Sequence, residues 1–239
     1  MMSRRMALPE TGELGAIMPA PPPPGGTGEL MPGSRGDYVD YLRATGIKEA
    51  GGNCARRENR HGNHLGLYQM SKAALQQVGC VSSGGSAAAE TWIWSGSCGG
   101  YPVSSMYQFL TNCAAQTEAI RLYHQWQWNA MGTCVHNQVG QLSPQGTMLT
   151  TSGIIAGSHL VGHGCMMHYL GCGGVSSSNY ASTAKSPNVC RAGGPPPNGP
   201  RDGNGTTAES RIRALAGYDM GFGPGSTGYY NSGPGGSFE

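Results

Sequence analysis

The chain is poor in charge. Lys and Arg number 15 and Asp and Glu 13 among 239 residues, a charged share of 12%, about half that of an ordinary soluble domain. Net charge is only +2, and no basic stripe with interleaved aromatics occurs, which excludes an extended nucleic-acid-binding face. No run of about 18 apolar residues occurs, so no membrane-spanning helix is expected. There is no Cys-x-x-Cys pair, which argues against a zinc ribbon or a thioredoxin-like dithiol. The basic start MMSRR is not followed by the roughly 7–15 apolar residues of a secretory signal.

What the chain has instead is 41 glycines, 16 prolines and 8 cysteines. An even cysteine count in a Gly-rich chain of low charge points to disulfides and an oxidising compartment. Spacing alone leaves the pairing open, although Cys165 and Cys172 are near enough for a local bridge. Residues 1–33 form a Pro/Gly-rich arm in which Thr11-Gly12-Glu13-Leu14 recurs as Thr27-Gly28-Glu29-Leu30. Such a segment buries too little apolar surface to fold alone. Residues 218–239 are again Gly-rich, with Tyr218, Phe222, Tyr229, Tyr230 and Phe238 spaced to suit docking on a partner. The organisation expected is an arm over 1–33, one folded domain over 34–220 and a Gly/aromatic tail over 221–239.

The densest chemistry lies between Gly46 and Gly79. Ser34-Arg35-Gly36-Asp37 has the Ser-x-x-Asp form of a helix start. Tyr38, Leu42, Thr45 and Glu49 then share one face of a 3.6-residue period. Gly51 and Gly52 supply the left-handed stop. Glu49 therefore sits in the last turn, near the negative end of the helix dipole and beside apolar neighbours. Both effects disfavour a charged carboxylate and predict a carboxyl group that keeps its proton, as a general acid requires.

The motifs that follow carry a resemblance. Glu49-Ala50-Gly51-Gly52-Asn53 and, some way on, Gly66-Leu67-Tyr68-Gln69-Met70 resemble the paired motifs of the lysozyme-like superfamily. Within it, the similarity is to the soluble lytic transglycosylases and related peptidoglycan-cleaving domains of phages and secretion machines. The resemblance implies a mainly helical, lysozyme-like α+β fold with irregular Pro/Gly-rich tails, stabilised by disulfides. It implies Glu49 as catalytic acid/base, and Gly66, Leu67, Tyr68 and Gln69 as the lining of a glycan cleft, with Tyr68 a sugar platform. It further implies no cofactor and no metal, and peptidoglycan glycan strands as the partner. Arrival at the wall without a signal segment suggests a virion, a conjugation or a secretion machine, whose other subunits the tails would touch, or else a signal already removed. The compartment is then the virion surface or the extracytoplasmic space. The alternative is a particle subunit that kept the fold and lost turnover.

Asn53–His64 is polar and bounded by glycines, a candidate for the small β-hairpin of a cleft wall. Within it Glu58 is either a second carboxylate or an ion-pair partner of Arg57 and Arg60. A second carboxylate would activate water for hydrolysis, whereas Glu49 alone implies an anhydro product. The cluster Arg56, Arg57, Arg60 and His61 reads as solvated loop chemistry or as a contact for anionic wall groups. Ser71 opens a short helix that Gly79 closes. Trp92, Trp94 and Tyr101 lie in a Ser/Gly-rich loop over 81–103, as sugar-stacking surfaces or as core plugs. A helical region from Ser105 to about Trp128, broken near Asn112, is the largest core element, and 130–150 is loop. A third helical stretch starts at Thr151-Ser152. It carries His159, His163 and Tyr169; His159 and Tyr169 are the cleft-facing candidates. The His159/His163/His168 spacing invites a zinc site, but Gly162 and Gly164 interrupt it and no acidic ligand lies near. Asp202-Gly203-Asn204-Gly205-Thr206 is a turn, since a calcium loop would need Glu where Arg213 stands. Thr207–Gly217 is a last short helix.

Overall fold

The computed structural model describes residues 34–58, 64–85, 88–173, 199–202 and 204–223. The arm over 1–33, Arg60 and His61, the stretch 174–198 and the tail after 223 lie outside the described residues. What is described is mainly helical α+β with a few short strands.

Helix α1 spans Tyr38–Ala50. It starts later than the Ser34 capping pattern suggests. The cap is Asp37, whose Oδ1 accepts from Val39 N and Asp40 N at 2.8 and 3.1 Å, while Ser34 turns to the carbonyl of Gly217. Its end is as expected: Gly51 is left-handed at φ 63°, and Gly51 and Gly52 N–H return to Ile47 O and Gly46 O. The polar loop after it closes through β1 (Arg57–Glu58) and β2 (His64–Leu65), an antiparallel pair. The turn 66–70 follows, tied by Leu65 and Met70 hydrogen-bonding each other, and Ser71 caps α2 (Lys72–Gln77).

The 81–103 loop is more structured than its composition suggests. A 3₁₀ turn at Ala89–Thr91 precedes a hairpin of β3 (Gly96–Cys98) and β4 (Tyr101–Val103). Trp92 is buried and Trp94 packs on Phe109 with ring centres 5.3 Å apart, so both are core plugs; Tyr101 is exposed. Ser105 caps α3 (Met106–Leu110) and Asn112 caps α4, which puts the break where expected. Helix α4 covers Cys113–His136, so the loop expected from 130 begins later; a break with φ 67° at Gly132 lies inside it.

Helix α5 (Thr151–Val161) is the hub. Every residue from Thr151 to Ser158 is buried. Gly162 ends it, and α6 (His163–Tyr169) continues in a new direction. Helix α7 (Ala208–Leu215), capped by Thr207, lies against α5. The contact is close because Gly153 and Gly157 face Ile212: a Cβ at either would come within 3.1 and 3.3 Å of that side chain. Asp202 Oδ1 accepts from Asn204 N and Thr206 N, which makes 202–206 the expected turn.

Three disulfides are described: Cys54–Cys113, Cys80–Cys98 and Cys134–Cys172. The local Cys165–Cys172 bridge is therefore not formed, because Cys172 reaches back to α4; Cys165 is itself disulfide-bonded. The chain entry and exit are clasped by Arg35 N→Gly217 O at 3.0 Å and Asp219 N→Gly36 O at 2.9 Å. Tyr218 and Met220 are buried, and Phe222 meets Tyr38 and Trp128. Packing thus continues past the expected boundary at 220: Tyr218 is a core residue and half-buried Phe222 packs against the core. Among the described residues no helix is long and apolar enough to cross a membrane.

Candidate functional site

Glu49 occupies the last turn of α1 with its side chain 15% exposed. The surroundings differ from those the helix alone predicts. Arg211, on α7 and 7% exposed, places Nη2 2.9 Å from Glu49 Oε1. A carboxylate that leaves water needs a proton or a cation, and here a cation is supplied. Arg211 stands on the buried face of α7 between Ala208, Ile212 and Leu215. Its Nε and Nη1 are buried without hydrogen-bond partners among the described residues. An arginine at a core position of an amphipathic helix is a sequence signal for a buried cation, but not for its partner.

The 66–70 turn is seated beside Glu49. Leu67 packs against Gly46, one turn before Glu49 on α1, so closely that a Cβ at Gly46 would come within 2.9 Å of it. Gly66 has φ 79°, and a Cβ there would lie 2.4 Å from Gln116 Oε1. That closeness reflects a knot on α4 that sequence reasoning did not find. Gln116 is buried, its Oε1 accepts from Leu67 N at 2.6 Å, and its Nε2 donates to Phe109 O at 2.7 Å and Cys54 O at 3.1 Å. One carboxamide thus joins the turn, α3 and the loop after Glu49. Gln69 is left-handed at φ 46° and donates from Nε2 to Gly66 O at 2.7 Å.

Tyr68 corrects an expectation. The residue is 3% exposed and its hydroxyl lies 3.3 Å from Thr117 Oγ1, so it is a core residue and offers no face for a sugar. The contribution of Tyr68 to the site is its carbonyl, which receives a hydrogen bond from His159 Nε2 at 3.1 Å. Because a carbonyl only accepts, Nε2 carries the proton and Nδ1 of the neutral ring is a lone pair. That Nδ1 is buried and has no partner among the described residues. Burial lowers the His159 pKa; Glu49 raises it, Arg211 lowers it, the Tyr68 bond raises it and His64 lowers it, with a net downward shift. His159 therefore stays neutral near pH 7, within the fields of Glu49, Arg211 and His64.

Behind it, His124 of α4 lies edge-on to His159, ring centres 5.6 Å apart, with Nδ1 3.0 Å from Tyr38 Oη. Burial holds the His124 pKa well below its usual value, as does its neighbour His159. The other candidates stand apart. Tyr169 hydrogen-bonds Glu209 Oε2 at 2.7 Å, in a group with Ser143 that also holds Glu209 buried. That group sits at the far end of α7 from the clasp, so Tyr169 is not assembled with Glu49 by any described contact. Glu58 lies half-buried in the hairpin, and the neighbouring Arg57 pairs with Glu90. His159 and His163 fall on different helices, His163 edge-on to Trp126 at 4.8 Å. Among the described residues no group of three or more His, Cys, Asp or Glu is placed to hold a metal ion.

No protein-family model, no curated protein and no solved structure matches this chain.

Proposed function

We propose that the chain cleaves the β-1,4 bond between MurNAc and GlcNAc in peptidoglycan, as a lytic transglycosylase or a muramidase, with Glu49 as acid/base. The single observation that carries this reading is the assembly around Glu49: a partly exposed carboxyl at a helix end, beside the Gly66–Met70 turn and His159, held by Arg211. Arg211 donates to Oε1, which accepts whether or not the group is protonated. In this reading Oε2 takes up a proton from solvent before cleavage and hands it to the glycosidic oxygen. The lysozyme-like resemblance of both motifs supports the same reading, as does a disulfide-bonded body suited to the virion surface or the extracytoplasmic space. The proposed setting is a phage particle or a secretion or conjugation machine.

A second reading, a particle subunit of this fold without turnover, is favoured by the same ion pair taken as a structural bond. A zymogram under oxidising conditions separates the two. The catalytic reading expects clearing of peptidoglycan by the wild type and a loss of at least about 10³-fold in Glu49→Gln. Absence of clearing by wild type, or clearing by both, transfers the case to the structural reading or to another residue.

A further inference from the structure

The segment that leaves Glu49 is fastened at one covalent point. Cys54 is bonded to Cys113, the first residue of α4, across a sequence separation of 59. Between Glu49 and Cys54, Gly51 and Gly52 are left-handed, and a Cβ at either would meet no atom within 4 Å. That joint is an unpacked pivot, so the place of Cys54 is set from its far side. There Gln116 Nε2 donates to Cys54 O at 3.1 Å, while the same carboxamide accepts from Leu67 N at 2.6 Å. Arg56 O receives Gly66 N at 2.8 Å and Gln69 Nε2 at 3.4 Å. The disulfide, Gln116 and the Gly66–Met70 turn thus form one unit, which packs on α1 through Leu67 against Gly46.

The bridges differ in their access to solvent. Cys80 and Cys98 are both buried, which closes their bond to a reductant. Cys113 is exposed and Cys54 half-buried. Cys134 is exposed too, but its bond joins α4 to Cys172 beyond α6 and shares no residue with the Gln116 unit. Exposed disulfides are the ones that exchange readily with thiols.

We propose that Cys54–Cys113 is a redox latch on the Glu49 site: closed, it holds the turn for cleavage, and opened by a low-molecular-weight thiol it stops turnover. This rests on Glu49 being the acid. A reductant thiolate attacks Sγ of exposed Cys113, the bond to Cys54 breaks, and Cys54 leaves as a thiolate that takes a proton from solvent. A second reductant thiolate then displaces Cys113 as a thiolate, which is protonated in turn. The protein gains two electrons and two thiols, and the reductant becomes its disulfide. Gln116 alone then retains Cys54, the segment turns about Gly51 and Gly52, and the Leu67 amide is no longer fixed. Cleavage is thereby confined to oxidising surroundings.

A titration of the wild type across reduced and oxidised glutathione tests the latch. Thiols of one aliquot are trapped with iodoacetamide and mapped by mass spectrometry, while a second aliquot is assayed on peptidoglycan. Cys54 and Cys113 should open before Cys80 and Cys98, and turnover should fall about 10²-fold in step, with helical circular dichroism retained. Cys54→Ser/Cys113→Ser should be as low without thiol and indifferent to it, whereas Cys134→Ser/Cys172→Ser should keep the thiol response. Full turnover with Cys54 and Cys113 reduced, or a loss that follows another bridge, overturns the latch and leaves Glu49 as the acid. An oxidised wild type that clears nothing overturns the acid, and the latch is then read by hydrogen exchange. Reduction should strip protection from the Leu67 amide and spare the amides of Ile154 and Ile155 in α5. Unchanged protection at Leu67, or loss at all three, removes the latch.

Discussion

Glu49 and Arg211 are each more dependent on the other than on any neighbour. Their side chains are 15% and 7% exposed, so removing either leaves a charge in a poorly hydrated place. Arg211→Met should cost about 2–4 kcal/mol in a urea titration. The double variant with Glu49→Gln should lose clearly less than the two single losses added together, because no charge is then stranded. Additive losses would show that the pair is not coupled. The sequence made Glu49 visible, since its face and its glycine stop are local. Arg211 was not visible as its partner, because only tertiary packing brings α7 against α1. Tyr68 failed in the same way: the motif placed it in the turn, but which way its ring points was decided by Thr117 and the core. Gln116, 49 residues from the amide it satisfies, carries no local mark at all.

At the scale of the element, what could be read from the chain was what the chain arranges with near neighbours. Ser71, Ser105, Thr207 and Gly51 act within a turn of themselves, and the helices they bound were found. The cap of α1 was misplaced because Asp37 satisfies the free N–H groups that Ser34 was expected to reach. The Gly66–Met70 turn is the element whose shape matters most. Gly66→Ala would put an L side chain in a left-handed conformation and drive its Cβ into the Gln116 carboxamide. We expect a loss of about 2–4 kcal/mol by denaturant titration, with the Leu67 amide losing its protection from hydrogen exchange. A variant within about 0.5 kcal/mol of wild type would mean that Gln116 does not hold this turn.

The whole molecule is organised around α5, whose burial and small residues let α4, α6 and α7 approach it. That interior also holds imidazoles. His124 and His159 are buried with lowered pKa values, and half-buried His163 is lowered as well. The unfolded chain binds protons at these rings near pH 6.5 and the folded one does not. Stability should therefore be full above about pH 7 and fall as the pH drops below about 6.5, before carboxylate titration begins. His124→Gln should shallow that fall by about one proton, read from stability against pH. An unchanged slope would show that His124 is not held neutral by the fold.

The clasp between residues 35–36 and 217–219 has a mechanical consequence. A pull applied on the N-terminal side of residue 35 meets this seam first, since residues 35–36 precede α1. Tension would be borne by a few backbone contacts there and would reach the helix of Glu49 only after they part.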